Sequence, residues 1–599
     1  MKEKLDKVID SKIIFLVVLA LSIGYLYGSI RISYNIYDEG IVVYGASRIL
    51  KGDIPYKDFW TMYAPGQFYT IALLFKLFGT NLFVTRIYSA TINLLLVLMV
   101  YLTIKKISNH RIALLSFILS TLWMGGWGLF HSSPTPAGTF WSLFSILFVV
   151  DFLCNKNYLS LFIGGIITGI TAIFRHDIGG YTFISSTVVL LLYVYFRIAD
   201  RNLLNTAKVW GKYLLGTIIS FIPFALYFLA KVPIKDLIFD LIVFPAKIFP
   251  RVRDLPYPSF AFNFYSFLFY FPIIIYIIGG IFILSNLFRW KDLGGKEWAT
   301  ILFWIIGLFF FNQAWVRSDV PHLLPTIIPA IMLLTSLYNN KLVQIWEKRG
   351  YFLRVFLLFI AFLLTLSLYR NALRSFTVTV YILPVVLGTI VALFVYIPIN
   401  LGQSFRRTIL RLSSQAILGI LCLFIISSFV KGEIRDLPTW VFFSFSKPGL
   451  VPSQLNRAKG IYVFENQEYF LSTAIKFVQA NTKPDELIFV GNSRHDKIFV
   501  NDIMFYFLSE RHSATKYHEL HPGLATTKEV QLEIIDELKR NNVKLIVLWS
   551  GAENVAEPNE SSLSSGVTDL DDYIKTNYVP VMYFGPYKIL QKFTVGDIG

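Results

Sequence analysis

Repeated apolar runs, each long enough to cross a bilayer, constrain this chain before anything else. The first, IIFLVVLALSIGYLYGSI, follows MKEKLDKVIDSK, and a hydrocarbon core needs about 20 residues at helical rise. Further runs of that length begin near Val84, Ile112, Ala137, Tyr158, Ile178, Trp210, Phe262, Trp298, Val320, Tyr351, Thr379 and Ile409. Together they give about 13 helices on hydropathy grounds. With 55% hydrophobic residues, 17% aromatics and a mean hydropathy of +0.58, the chain has too many apolar side chains for an ordinary soluble core. It reads as a polytopic α-helical membrane protein.

The first run is longer than the apolar stretch of a cleaved signal and has no small-x-small site, so it is expected to remain as an anchor with a cytoplasmic N-terminus. Residues 65–79, PGQFYTIALLFKLFG, are short and carry Lys76; they suit a helix lying in the interface better than a span. With that choice Lys105, Lys106, Arg111, Arg197, Arg201, Arg289, Lys291, Arg406 and Arg407 fall in loops on the cytoplasmic side, as the positive-inside rule asks. The net charge of +17 is uneven. Residues 431–599 hold 18 of the 55 basic and 21 of the 38 acidic side chains, a local charge of −3, which leaves +20 on the rest. That pattern is what membrane orientation produces, and no nucleic-acid partner is expected from it. Cys154 and Cys422 both sit in apolar runs and are expected to be packing residues.

Counting spans also sorts the ionisable clusters. Asp38 and Glu39 follow one span, Arg175, His176 and Asp177 follow five, Phe244–Asp254 follows seven, and Val316–His322 follows nine. All are odd, so all are expected on the extracytoplasmic face. Ionisable groups at helix ends are costly unless paired or solvated, and their concentration on one side marks a functional site.

Two domains are expected: 1–430, spanning the membrane with a first outer loop at 31–83, and 431–599, outside it. In the second, DELIFVG and VKLIVLW read as strands, TKEVQLEIIDELKRNN as a helix between them and VPVMYFGPYKIL as a third strand, a small α/β domain with parallel or mixed pairing. A loop with Arg494, His495 and Asp496 follows the first strand, either as a solvated loop or as a contact to the acceptor or the membrane site. The chain has neither a Walker loop nor a strand followed by G-x-G-x-x-G, which removes support for an ATP-driven role.

The Asp-Glu pair soon after the first span, followed by ASRILKGDIPYKDFW, YAPGQFYTIALLFKLFGTN and TRIYSATINLLLVLMVYL, resembles the opening of the family of protein O-mannosyltransferases and lipid A aminoarabinose transferases, in the GT-C class of glycosyltransferases. The likeness in pattern extends over residues 10–340. Where those families often carry Lys-Pro-Pro, this chain has Tyr63, Ala64 and Pro65. The resemblance implies a GT-C-like bundle in the plasma (inner) membrane, with donor and acceptor meeting at its outer mouth. It also implies inverting transfer of a hexosyl or pentosyl group from a polyprenyl-phosphate donor to a lipid, glycan or protein acceptor.

The chemistry asks for matching residues. A carboxylate must accept the proton of the attacking hydroxyl, which assigns Asp38 as base, with Glu39 as its partner or as a metal ligand. Capping of the helix that starts there is the alternative for the pair. The departing phosphate needs cations, and arginine offers it two parallel hydrogen bonds. Arg317, His322, Arg175, Arg251, Arg253 and Lys247 are the candidates, with His176, Asp177 and Asp319 in support. For Arg317, Asp319 and His322 the alternative is an internal salt bridge. If a divalent cation takes part, Asp38, Glu39 and His322 are the ligands expected. The Pro-, Phe- and Arg-rich stretch from Asp236 to Phe260 suits either a lid that excludes water or an irregular connector. The rival function is a transporter or flippase of lipid-linked glycans, which would place charges near the midplane and interrupt helices at matched repeat positions; neither is evident in the sequence.

Overall fold

The structure is a computed structural model that describes residues 12–125, 133–197, 203–259, 264–284, 287–337, 447 and 449–593. Ten apolar helices stand where ten of the apolar runs lie: α1 (Lys12–Gly28), α4 (Leu82–Ile107), α5 (His110–Gly125), α6 (Pro134–Asn155), α7 (Tyr158–Phe174), α8 (His176–Arg197), α9 (Leu203–Lys231), α12 (Phe264–Leu284), α13 (Gly295–Val316) and α14 (Val320–Leu337). Six of them have the length and composition to cross a membrane outright, and the chain is an integral membrane protein. The runs near Tyr351, Thr379 and Ile409, Cys422 and the expected boundary at 430/431 lie outside the described residues.

Local signals set the helix ends. Asn81 accepts from the Val84 N–H at the start of α4, and Asn157 accepts from Leu159 and Ser160 at the start of α7, each satisfying donors that the first turn leaves orphaned. Close packing in the bundle rests on small residues. A Cβ on Gly165 of α7 would come within 2.1 Å of the Tyr213 carbonyl oxygen of α9, and one on Gly216 within 2.3 Å of the Phe162 carbonyl oxygen. Trp123, Trp298, Phe303 and Phe310 fill the bundle interior.

Two helices lie outside this set. α2 (Asp38–Leu50) is buried along nearly its whole length, and α3 (Gly66–Phe78) packs against it through Phe68, which lies 2.8 Å from where a Gly45 Cβ would be. At 13 residues α3 reaches only about 20 Å, short of a hydrocarbon core of roughly 30 Å. It buries Phe68, Ile71 and Phe75 and exposes Leu73, Leu77 and Phe78.

The stretch read as lid or connector is helical: α10 (Ile234–Ile238), a π-helical segment (Phe239–Ile248) containing Pro245, and the turn α11 (Phe249–Val252). Phe244 at its centre meets Trp60 and His521 edge-on, with ring centroids 4.9 and 5.0 Å apart.

The C-terminal region adds a hairpin of β1 (Leu450–Pro452) and β2 (Tyr462–Phe464), and a mixed sheet in the order β4-β3-β5-β7-β6. Its strands are β3 (Leu487–Asn492), β4 (His512–Ser513), β5 (Leu545–Trp549), β6 (Tyr578–Phe584) and β7 (Tyr587–Lys592), with helices α15 (Glu465–Asn481), α16 (Met504–Ser509), α17 (Lys528–Arg540) and α18 (Asp569–Asn577). β3 runs parallel to β4 and β5, whereas β7 is antiparallel to β5 and β6. VPVMYFGPYKIL is thus two strands; Gly585, at φ 54°, makes the turn that divides it, a backbone region that glycine enters without cost.

This region does not stand apart from the membrane bundle. One face of its sheet shares a core with Ile41, Val42 and Val43 of α2, and the other with Trp60 and Phe244. Tyr44 stacks on Tyr506 at 4.9 Å and its hydroxyl accepts the Ser513 N–H at 2.6 Å. A Cβ on Gly40 would lie 2.8 Å from the Met504 nitrogen, so only glycine permits this approach.

Candidate active site

Neighbouring residues on an α-helix diverge by about 100°, and at the start of α2 this separates the two acids. Glu39 turns inward and is wholly buried. Both of its oxygens accept from Arg86 of α4, at 2.8 Å each, and Arg86 also donates to the carbonyls of Ile30, Ile32 and Ser33. With both oxygens so engaged, Glu39 is a brace between α2, α4 and the 30–33 turn. This geometry speaks against the expected metal-ligand role.

Asp38 instead stays half-buried, accepting from Asn35 Nδ2 at 3.2 Å while its own N–H donates to Asn35 Oδ1. Burial raises its pKa, opposed by the Asn35 hydrogen bond and by the charges of Arg253 and His322; Asp319 adds to the rise. Two segments remote in sequence, around Arg253 and around Asp319–His322, therefore act on one carboxyl, as the count of spans anticipates for clusters on one face.

The cations divide into engaged and less engaged ones. Arg317 gives Nε to Asp319 at 2.6 Å, Nη1 to the Arg253 carbonyl at 2.6 Å and to Glu557 at 2.9 Å, and Nη2 to Glu557 at 2.5 Å. It ties the α13–α14 turn to the C-terminal region, which leaves it little to offer a phosphate. Arg175 is likewise held by Asp177, at 2.9 and 2.6 Å, and by Thr135 at 2.7 Å; Gln313 completes the cluster by donating to Asp177. Arg251 is exposed and pairs with Glu560, and Lys247 is exposed on the π-helical segment. His322 bonds Asp319 at 2.5 Å. His176 opens α8 half-buried, with Nδ1 unpartnered among the described residues.

Arg253 differs from these. It is buried and lies over the Phe499 ring at 4.6 Å, and its guanidinium makes only long polar contacts among the described residues, 3.4 Å to the Phe499 carbonyl and 3.5 Å to Glu557. Burial and the neighbouring Arg317 charge press its pKa down. It is the cation in Asp38's surroundings with the most hydrogen-bonding capacity still to use.

One acid had no signal in the sequence. Glu519 comes from the C-terminal region, 482 residues beyond Tyr37, whose hydroxyl donates to its Oε1 at 3.2 Å. Its Oε2 is buried without a partner among the described residues. Burial pushes its pKa up to about 8, with the Asp38 charge adding to the rise, which favours its neutral form at pH 7. Tyr63 joins the cluster, its pKa raised by burial and then by Asp38 and Glu519. Tyr63 stands at the first of the three positions where the resembled families often carry Lys-Pro-Pro. Among the described residues no three His, Cys, Asp or Glu side chains converge as a metal cage, and with Glu39 committed to Arg86 the expected set of Asp38, Glu39 and His322 does not assemble.

The second cluster of the C-terminal region is internal. Arg494 holds Asp496 at 2.7 and 2.5 Å, and His495 is buried against Asp571 at 2.7 Å. That loop is a structural tie.

A crystal structure of ArnT from Cupriavidus metallidurans bound to undecaprenyl phosphate superposes with a TM-score of 0.51 at 12% identity, over 97% of this chain and 98% of that one. The same protein in the apo state gives 0.49 at 13% identity, over 96% and 97%. The oligosaccharyltransferase AglB from Archaeoglobus fulgidus, in complex with an inhibitory peptide and a dolichol-phosphate, gives 0.46 at 12% identity, over 98% and 74%. The chain has the fold of the GT-C class of glycosyltransferases. Within that class, residues 63–227 match the family model of dolichyl-phosphate-mannose-protein mannosyltransferases, so the resemblance is to mannosyltransferases and aminoarabinose transferases. No curated protein matches the sequence.

Proposed function

We propose that this protein is a membrane glycosyltransferase that moves a sugar from a polyprenyl-phosphate donor to an acceptor on the extracytoplasmic face. The observation that carries the proposal is the placement of a half-buried carboxyl, Asp38, under the charges of Arg253 and His322, in a fold shared with a protein solved with undecaprenyl phosphate. An acceptor hydroxyl attacks the anomeric carbon as the carbon–oxygen bond to phosphate breaks. Asp38 takes the hydroxyl proton, and polyprenyl phosphate leaves with the bonding pair. Single displacement inverts the anomeric centre. A base is most effective when its pKa lies near the working pH, and the raised pKa of Asp38 moves it in that direction.

Arg253 is assigned to the donor phosphate, where its unspent N–H groups meet the developing charge. Arg317, Glu557 and Asp319 hold the backbone from which it projects. The neutral Glu519 adds a hydrogen-bond donor at the same place, and the α/β region is in this reading part of the site.

The test is transfer by the purified protein from a panel of labelled polyprenyl-phosphate sugars. Asp38→Asn is expected to abolish turnover while retaining the fold and donor binding, and Arg253→Gln to weaken donor binding by about 1.5–3 kcal/mol, the worth of a hydrogen bond to a charged group. Turnover retained in Asp38→Asn refutes the assignment of the base. Movement of the lipid-linked sugar across vesicles with no transfer to any acceptor favours the transporter.

A further inference from the structure

At the far end of α2 from Asp38 lies a polar cavity, which the proposed sugar transfer does not use. Thirteen residues of helix separate the two ends, about 20 Å at 1.5 Å per residue. The cavity holds about 160 Å³ and is lined by Ser47, Lys51, Thr80, Arg457, Glu510 and His512 among others. That is far above the roughly 10–15 Å³ one water needs on this measure. Four parts of the chain build it: the end of α2, the turn between α3 and α4, the connection between β1 and β2 that carries Arg457, and the α16–β4 corner of the C-terminal region.

The charge on its walls is unbalanced. Arg511 is also at the wall, with its donors spent on Thr482, Gln479 and the Ser509 carbonyl; its positive charge remains. Arg457 donates Nη1 to the Phe507 carbonyl at 3.0 Å and meets Glu510 only at 3.7 Å. Lys51 is exposed at the rim. Against these three cations the wall offers one acid, Glu510. The excess registers on its neighbours: burial, then Lys51 and Arg48, hold the His512 imidazole down at about 4, and burial and Arg457 lower the Lys51 pKa, with Asp53 opposing both shifts.

Two features beside the cavity point to the bilayer surface. Thr80 lies two residues before α4 begins its apolar run at Leu82. The neighbouring α3 presents Leu73, Leu77 and Phe78, which are 56–67% exposed, an apolar face next to a basic cavity, as in helices that lie in the headgroup region. Basic groups placed there attract anionic headgroups.

We propose that this cavity binds a phosphate group, supplied by an anionic phospholipid headgroup at the bilayer surface, and so fastens the C-terminal region to the membrane beside α2. Lys51 and Arg457 contact the phosphate oxygens, Thr80 offers a hydroxyl donor, and Glu510 competes with the ligand for Arg457.

The test uses the full chain in detergent, with phosphatidylglycerol, phosphatidylcholine or inorganic phosphate added separately, read by thermal shift and by lipid retention in native mass spectrometry. Phosphatidylglycerol is expected to stabilise and to be retained, phosphatidylcholine not. Lys51→Glu is expected to lose roughly tenfold or more in apparent affinity, the loss of one charge-assisted contact, and Glu510→Gln to gain affinity. Lys51 is exposed and Glu510 half-exposed, so both variants are expected to fold. Equal stabilisation by inorganic phosphate, with the same response to the variants, upholds phosphate binding and overturns the lipid source. Equal response to both lipids, or wild-type affinity in both variants, overturns the site.

Discussion

Removing Glu39 separates structural from chemical roles within the acidic pair. Its side chain and that of Arg86 are wholly buried, and Arg86 makes five hydrogen bonds, two to the Glu39 carboxylate and three to backbone carbonyls. Breaking a buried ion pair by deleting one partner costs about 3–5 kcal/mol, because the remaining charge is left uncompensated. At 1.4 kcal/mol per factor of ten, Glu39→Ala should shift the balance between the ordered and loosened α2–α4 contact by roughly two to three and a half orders of magnitude. Thermal unfolding in detergent should show the loss as a lower midpoint. Replacing both partners with apolar residues, Glu39→Leu with Arg86→Met, should recover much of it, since desolvation of the pair largely cancels its attraction. Turnover per folded molecule should fall far less than in Asp38→Asn. An unchanged unfolding midpoint together with lost turnover would refute the brace and return Glu39 to the chemistry.

The C-terminal acid gives a pH signature. Glu519 rises from an ordinary 4.5 to about 8 in the folded protein, so the folded state holds its proton where the unfolded chain has released it. Its contribution is complete below about 4.5 and is lost as pH rises through about 8. Wild type should therefore lose stability relative to Glu519→Gln across that window; parallel midpoints from pH 5 to 8 would refute the buried neutral acid. For Arg317, Glu557→Gln should loosen the C-terminal region much as Arg317→Ala does, seen as faster amide exchange around residues 253–255 and 317–319, and both should weaken donor binding. Tighter donor binding in Glu557→Gln would show that Arg317 itself binds phosphate and is held back by its partner. Gly40→Ala should destabilise by about 1–3 kcal/mol, the usual cost of overpacking, because its Cβ would meet the Met504 nitrogen; an unchanged unfolding midpoint would refute the close approach.

The membrane helices were legible because hydropathy is local: a run of apolar residues declares a span whatever its neighbours are, and all ten runs within the described residues are helices there. The shared face of the ionisable clusters was legible too, since parity of spans is arithmetic. The duties within those clusters were not. Asp38 and Glu39 are adjacent and chemically alike, and what divides them is the helix phase that turns one toward Arg86, 47 residues away. Arg317 and Arg253 both looked like phosphate ligands. Glu557, 240 residues beyond Arg317, engages one and leaves the other with long contacts. Glu519 sits in a polar segment with no pattern to mark it, and only the docking of the sheet on α2 carries it to Tyr37.

The sequence by itself determined the class of environment, the helices and the end of the bundle at which the ionisable clusters gather, because those follow from transfer free energies that act segment by segment. Tertiary structure alone decided which acid is left half-buried, which cation keeps unspent donors and that the C-terminal region packs over the Asp38 cluster. Those outcomes depend on pairing between residues hundreds of positions apart, and pairing energies exist only once the chain has folded.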